Sequence, residues 1–301
     1  MIDALMKKID EMNNPTVVGL DPTLEMMPAG LKAEMYEKYG KTPKAVANMF
    51  VKFNKEIIDS VYDIVPAVKP QIAMYEKYGI EGLNAYLETI EYAKSKGMII
   101  IGDIKRGDIS STAAAYAAHI GGTDIEGENF DLWKEDWITI NPYLGVDGIQ
   151  PFIDECNKMD RGMFVLVKTS NPSSSQLQDI VVDGQTIYEK VAGLVEEWGQ
   201  QSMGTLGYSR VGAVVGATHR EQGAKLRKLM PHTFFLVPGY GAQGGTGADL
   251  KDFFDKDGKG CIINSSRGII AAYKKNPEKY GENVGAAARD AALLMKEDLQ
   301  Y

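Results

Sequence analysis

The chain has 301 residues, 44% of them apolar and 25% charged, and its 33 Lys and Arg against 41 Asp and Glu leave a formal net charge of −8. That balance supplies one large core, and the acidic surplus argues against a nucleic-acid binder, whose domain would carry a basic face. Cys156 and Cys261 lie far apart and His119, His219 and His232 are scattered, so neither a metal spacing nor a structural disulfide is expected.

The N-terminal stretch MIDALMKKIDEMNN mixes charged residues with apolar ones at helical spacing, which fits neither a signal peptide nor a membrane span. A soluble cytoplasmic protein is expected. From there, short β-branched runs alternate with helical stretches. Eight runs read as strands: residues 16–20, 65–69, 98–103, 137–141, 163–168, 211–216, 234–237 and 261–264. Continuous apolar stretches such as MIII and FVLV suit parallel strands buried on both faces. Residues 46–62, 82–96, 185–200, 221–230 and 284–299 carry apolar side chains at i, i+3 and i+4 and read as helices, with Gly97 as a C-terminal cap. Strand–helix units in this order point to a single (β/α)8 TIM barrel with parallel strands, one domain over residues 1–301. Periodicity by itself leaves an open doubly wound sheet as the alternative. The stretches 121–135 and 170–183 exceed usual connections, and on a barrel such loops at the strand ends carry function. Met26, Met27 and residues 36–39 read as packing, Trp133 and Trp137 as core or interface, and His219, at the mouth after the sixth strand, as a capping or solvent-facing group in preference to a ligand contact.

The residues at the strand ends carry the chemistry. Alternate side chains of a strand point the same way, so Asp103 and Lys105 face the barrel mouth and Ile104 faces the helices. Lys69 on the neighbouring strand and Asp108 just beyond complete an expected array of alternating charge. Such charges are costly to bury unless paired. The array reads as catalytic, or else as a salt-bridge cluster plugging the barrel. Gly239, Gly241, Gly244 and Gly245 after the seventh strand free backbone N–H groups for an anion, and Arg267 follows the eighth. Barrels bind phosphate in that region, so a phosphate monoester ligand is expected.

The segment Asp103-Ile104-Lys105-Arg106-Gly107-Asp108-Ile109 resembles the D-x-K-x-x-D-I signature of orotidine 5'-phosphate decarboxylases, and its continuation Ser110-Ser111-Thr112-Ala113 resembles the longer bacterial branch of that family. The likeness extends to Gly19-Leu20-Asp21-Pro22, Val68-Lys69-Pro70-Gln71, Gly241-Ala242-Gln243-Gly244-Gly245 and Ser265-Ser266-Arg267-Gly268, in order along the chain. The D-x-K-x-x-D core alone is shared with sugar-phosphate lyases and decarboxylases of the same superfamily. The resemblance implies decarboxylation of orotidine 5'-monophosphate to uridine 5'-monophosphate, the last step of pyrimidine nucleotide synthesis, without metal or cofactor. By the same resemblance Lys105 would protonate C6, Asp103 would lie against the substrate carboxylate, and Lys69 would hold Asp103 and a ribose hydroxyl. Asp21 would bind a ribose hydroxyl, and Asp108 and Thr112 would reach the partner's site in a homodimer. Ser170, in a loop that matches only in part, would contact the pyrimidine edge. Gln243 and Arg267 would hold the phosphate, with backbone N–H groups of Gly241 and Gly244. A related barrel chemistry, a magnesium-stabilised enediolate, commonly needs a glutamate near the end of the second strand, where this chain has Lys69-Pro70-Gln71. A catalytically silent phosphate binder is disfavoured by the intact charged positions.

Overall fold

The computed structural model describes residues 1–217, 220–241 and 246–300. Eight parallel strands close into a barrel in chain order: β1 (Thr16–Leu20), β2 (Ala67–Pro70), β3 (Ile99–Arg106), β4 (Trp137–Ile140), β5 (Gly162–Lys168), β6 (Val211–Val215), β7 (Phe235–Pro238) and β8 (Cys261–Ser265), with β8 bonded back to β1. Closure settles the choice between barrel and open sheet. Helices follow each strand on the outside, among them Pro43–Val61, Gly79–Ser95, Ser110–Gly121, Ile187–Gly199 and Val284–Asp298.

Element ends move where local chemistry decides them. The Thr42 hydroxyl accepts the Ala45 N–H and Pro43 occupies the first turn, so that helix starts three residues before the apolar periodicity does. Thr186 and Glu189 form a capping box, which starts the helix at Ile187 and leaves Gln185 to pair with Val182 in a small hairpin. The second strand begins at Ala67 rather than 65, because the Val65 N–H still donates to Val61 of the preceding helix. The 121–135 connection is a hairpin of Thr123–Ile125 with Glu128–Phe130, and 170–183 holds a 3-10 turn at Pro172–Gln176.

The strands divide the core into two layers. Outward residues such as Val18, Val68, Ile100, Ile104, Ile138 and Val165 pack under the helices. Inward residues Val17, Ala67, Ile99, Ile101, Trp137 and Phe164 fill the barrel, with Trp137 stacked on Phe164 at 4.6 Å. The helix Ile2–Met12 turns Ile2, Leu5 and Met6 into the same inner cluster and closes that end. Tyr36 and Tyr39 pack against the outer core, and Met27 is buried in it, as expected. Towards the C-terminal ends the inward positions become polar: Ala67 gives way to Lys69, Ile101 to Asp103, Trp137 to Thr139 and Ile262 to Asn264. The apolar end is sealed and the polar end faces the mouth, so the alternation that builds the core also delivers the site.

Candidate active site

Asp103 stands at the centre of the polar end. Its side chain is 9% exposed, and Lys69 Nζ donates to Oδ2 at 2.6 Å while Lys105 Nζ donates to Oδ1 at 2.5 Å. Lys69 is as deeply buried as Asp103, whereas Lys105 reaches into the open cavity. Burial alone would raise the Asp103 pKa, but Lys69 and Lys105 outweigh it and hold the carboxyl well below the usual carboxylate range. Burial would likewise lower Lys69, yet Asp103 and then Asp21 keep its pKa above the ordinary lysine value. Both groups are therefore charged at neutral pH.

The backbone is bent to achieve this. Lys105 adopts φ 47°, a left-handed conformation that costs a non-glycine residue about 1–2 kcal/mol, and the β3–β4 register shifts between Gly102 and Arg106. The Lys105 N–H donates to Thr139 Oγ1 at 3.0 Å, and that hydroxyl donates to Asp103 Oδ1 at 2.9 Å.

Two adjoining cavities share Lys69, Asp103 and Pro238. The first, about 320 Å³, is lined by Asp21, Asn264, Ser266 and Arg267. Among the described residues Asp21 Oδ1, Asn264 Oδ1 and Ser266 Oγ are buried without a hydrogen-bond partner, and Arg267 makes no ion pair. Buried polar atoms are almost always paired, so a cluster of orphans beside an arginine marks a place shaped for a polar ligand. The second cavity, about 400 Å³, holds Lys105, Thr139 and Ser170 over the apolar side chains of Leu166, Val214 and Leu236. Ser170 comes this close because Gly216 has no side chain: a Cβ there would lie 2.9 Å from Ser170 Cβ. A bulge opposite Val214 and Val215 carries Lys168 away from the cavity to Asp179, 2.7 Å distant. Gln178 brackets Thr169, accepting its N–H and donating to its hydroxyl.

Of the residues expected from sequence, Lys69, Asp103, Lys105, Asp21, Ser170 and Arg267 surround this space. Gly241, with φ 69°, lies beside it in a neighbouring groove. Asp108 departs from the expected four-member array: within its own chain its carboxylate accepts the Ile109 N–H at 2.7 Å and does not join Lys105. It sits in the turn after the bulge, half-buried, and residues 109–112 that follow it, Thr112 among them, are exposed. Gln243, Gly244, Gly245 and His219 lie outside the described residues. Asn264 and Ser266, at the end of the eighth strand, have no role in the sequence reading, and Thr139 is not singled out there, although the alternation of Trp137 with Thr139 already put that hydroxyl on the inward face. His119, read as merely scattered, stacks on Trp133 at 4.2 Å and meets the wholly buried Glu135 at 2.7 Å.

A closed parallel barrel with buried alternating charge and an anion-receptive rim at its C-terminal strand ends has the layout of a barrel enzyme working on a phosphorylated substrate. Residues 14–283 match the model of the orotidine 5'-phosphate decarboxylase / HUMPS family, and the chain belongs to that family. A protein of Rhodopirellula baltica named orotidine 5'-phosphate decarboxylase is 45% identical over 289 residues, covering 95% of this chain and 94% of that one. One of Petrotoga mobilis with the same name is 45% identical over 303 residues, covering 100% and 98%. The solved structure of Leishmania donovani OMP decarboxylase superposes with a TM-score of 0.75 at 31% identity, over 99% of this chain and 96% of that one. Among the described residues no helix is long and apolar enough to cross a membrane.

Proposed function

We propose that this protein is an orotidine 5'-phosphate decarboxylase, a carboxy-lyase that converts orotidine 5'-monophosphate to uridine 5'-monophosphate and carbon dioxide at the end of pyrimidine nucleotide synthesis. Family membership and the names of its relatives support the activity. The observation that carries the residue assignment is the Lys69–Asp103–Lys105 array, which puts a lysine ammonium at the edge of an apolar-floored cavity.

In this reading the bond between C6 and the carboxylate breaks and its electron pair stays on C6. Lys105 Nζ stabilises that charge and gives C6 a proton, and the amine regains one from solvent. Asp103 keeps Lys105 aimed and lies against the departing carboxylate. Lys69 and Asp21 take the ribose side. Arg267 holds the phosphate, which the resemblance assigns also to Gln243 and to the N–H groups of Gly241 and Gly244. Ser170 meets the pyrimidine edge over Leu166, Val214 and Leu236. Gripping the remote phosphate supplies binding energy for the reacting end. The route calls on no metal or cofactor.

We take the working unit to be a homodimer in which Asp108 and Thr112 reach the partner's cavity. The exposure of Thr112, with Ile109, Tyr116, Tyr143 and Leu144 exposed on the same chain, supports this. Two free, buried cysteines suit a reducing cytoplasm. The test is ultraviolet absorbance of orotidine 5'-monophosphate incubated with excess EDTA, for wild type and Lys105→Ala. Rapid conversion by wild type and a loss of at least about a thousandfold in the variant are expected. A folded wild type that leaves the orotate chromophore unchanged refutes the reading.

A further inference from the structure

Between the pairs Gly102–Ile138 and Arg106–Ile140 of the β3–β4 ladder, three residues of β3 stand opposite one residue of β4, Thr139. An ordinary parallel ladder would supply a main-chain carbonyl for the Lys105 N–H. Here, at the bulge, the Thr139 hydroxyl accepts that N–H at 3.0 Å. Asp103 is an ionised carboxylate and can only accept, so the hydroxyl's own proton goes to Asp103 Oδ1, 2.9 Å away. Asp103 Oδ1 is also the atom that receives Lys105 Nζ. One buried hydroxyl thus joins the main chain of Lys105, with its left-handed φ of 47°, to the carboxylate that holds its side chain.

We propose that Thr139 is a positioning residue for the reaction: its hydroxyl locks the left-handed bulge at Lys105 and thereby sets where the Lys105 ammonium stands relative to Asp103 and the substrate. The inference rests on the decarboxylase reading of this site and adds to it a residue on β4. The hydroxyl acts through Lys105 and Asp103, so its loss affects the reacting step more than the grip on the nucleotide. A serine at the same place keeps the oxygen and should keep the function. Valine keeps the shape, and leaving the Lys105 N–H without its acceptor costs about 1–3 kcal/mol, less than the stability of an ordinary domain.

The experiment compares wild type, Thr139→Val and Thr139→Ser by amide hydrogen exchange at Lys105 in the free protein, by kcat and KM for orotidine 5'-monophosphate, and by affinity for uridine 5'-monophosphate. For Thr139→Val, faster exchange at Lys105 and a kcat lower by about ten- to a hundredfold are expected, with product affinity within about threefold of wild type and both effects reversed in Thr139→Ser. Unchanged exchange in Thr139→Val overturns the inference whatever the protein catalyses. Faster exchange with unchanged kcat overturns it too, because the lock then serves no reaction. Product affinity falling as far as kcat would make Thr139 a general support of the cavity and also overturn it. If wild type fails to decarboxylate while exchange responds as expected, the decarboxylase reading falls and the lock on Lys105 stands.

Discussion

Replacing Lys69 by methionine tests whether the charge array is a mutually dependent unit. At 2.6 Å and an effective dielectric of 20, Lys69 and Asp103 attract each other by about 6 kcal/mol before desolvation is subtracted. Methionine fills similar volume but leaves Asp103, at 9% exposure, with Lys105 and Thr139 on Oδ1 and no partner on Oδ2. Stripping one partner from a buried pair costs about 3–5 kcal/mol, and the two surviving contacts put this case near the lower end. For a chain of this size that corresponds to a melting temperature lower by about 5 °C. The measurement is urea unfolding of wild type, Lys69→Met, Asp103→Asn and the double variant. The double variant should recover at least about half of the summed loss, because neither charge is then stranded. Equal stability of Lys69→Met and wild type, or strictly additive losses, would refute the argument that these two charges depend on each other.

Because the Asp103 pKa is depressed, its stabilising contribution is fully present above the ordinary carboxylate value of about 3.9 and is lost as pH falls further. Lys69, raised, contributes fully below about 10.4 and loses its contribution as pH climbs past that. The stability difference between wild type and Asp103→Asn should therefore stay level from about pH 5 to 9; a difference fading near pH 6 contradicts the assignment. Glu135→Ala removes the acceptor of both His119 Nδ1 and the Tyr86 hydroxyl in a wholly buried place. It should cost about 2–4 kcal/mol in urea unfolding, and a loss below about 1 kcal/mol would mean the cluster relaxes at no cost. Gly216→Ala crowds Ser170, so KM for orotidine 5'-monophosphate should rise roughly tenfold while inhibition by inorganic phosphate is unchanged; equal weakening of both would place Ser170 outside the base pocket.

The order of strands, their burial on both faces and the charged residues at their C-terminal ends were legible in the sequence, because they follow from residue type and a period of two. Alternation alone put Asp103 and Lys105 on one side and Ile104 on the other, and the outer core around Ile104 agrees. Barrel closure was not legible, since periodicity describes one strand at a time and closure is a relation between β1 and β8. The bulges were equally hidden: a shifted register on β3 curls Lys105 onto Asp103, and another on β5 takes Lys168 out of the cavity to Asp179. The unpaired atoms of Asp21, Asn264 and Ser266 became recognisable only as a group, when strands β1 and β8 came side by side. Residue type determines which side chains can carry charge and which way a regular strand turns them. Which of them touch depends on register and closure, and those depend on hydrogen bonds between segments far apart in the chain.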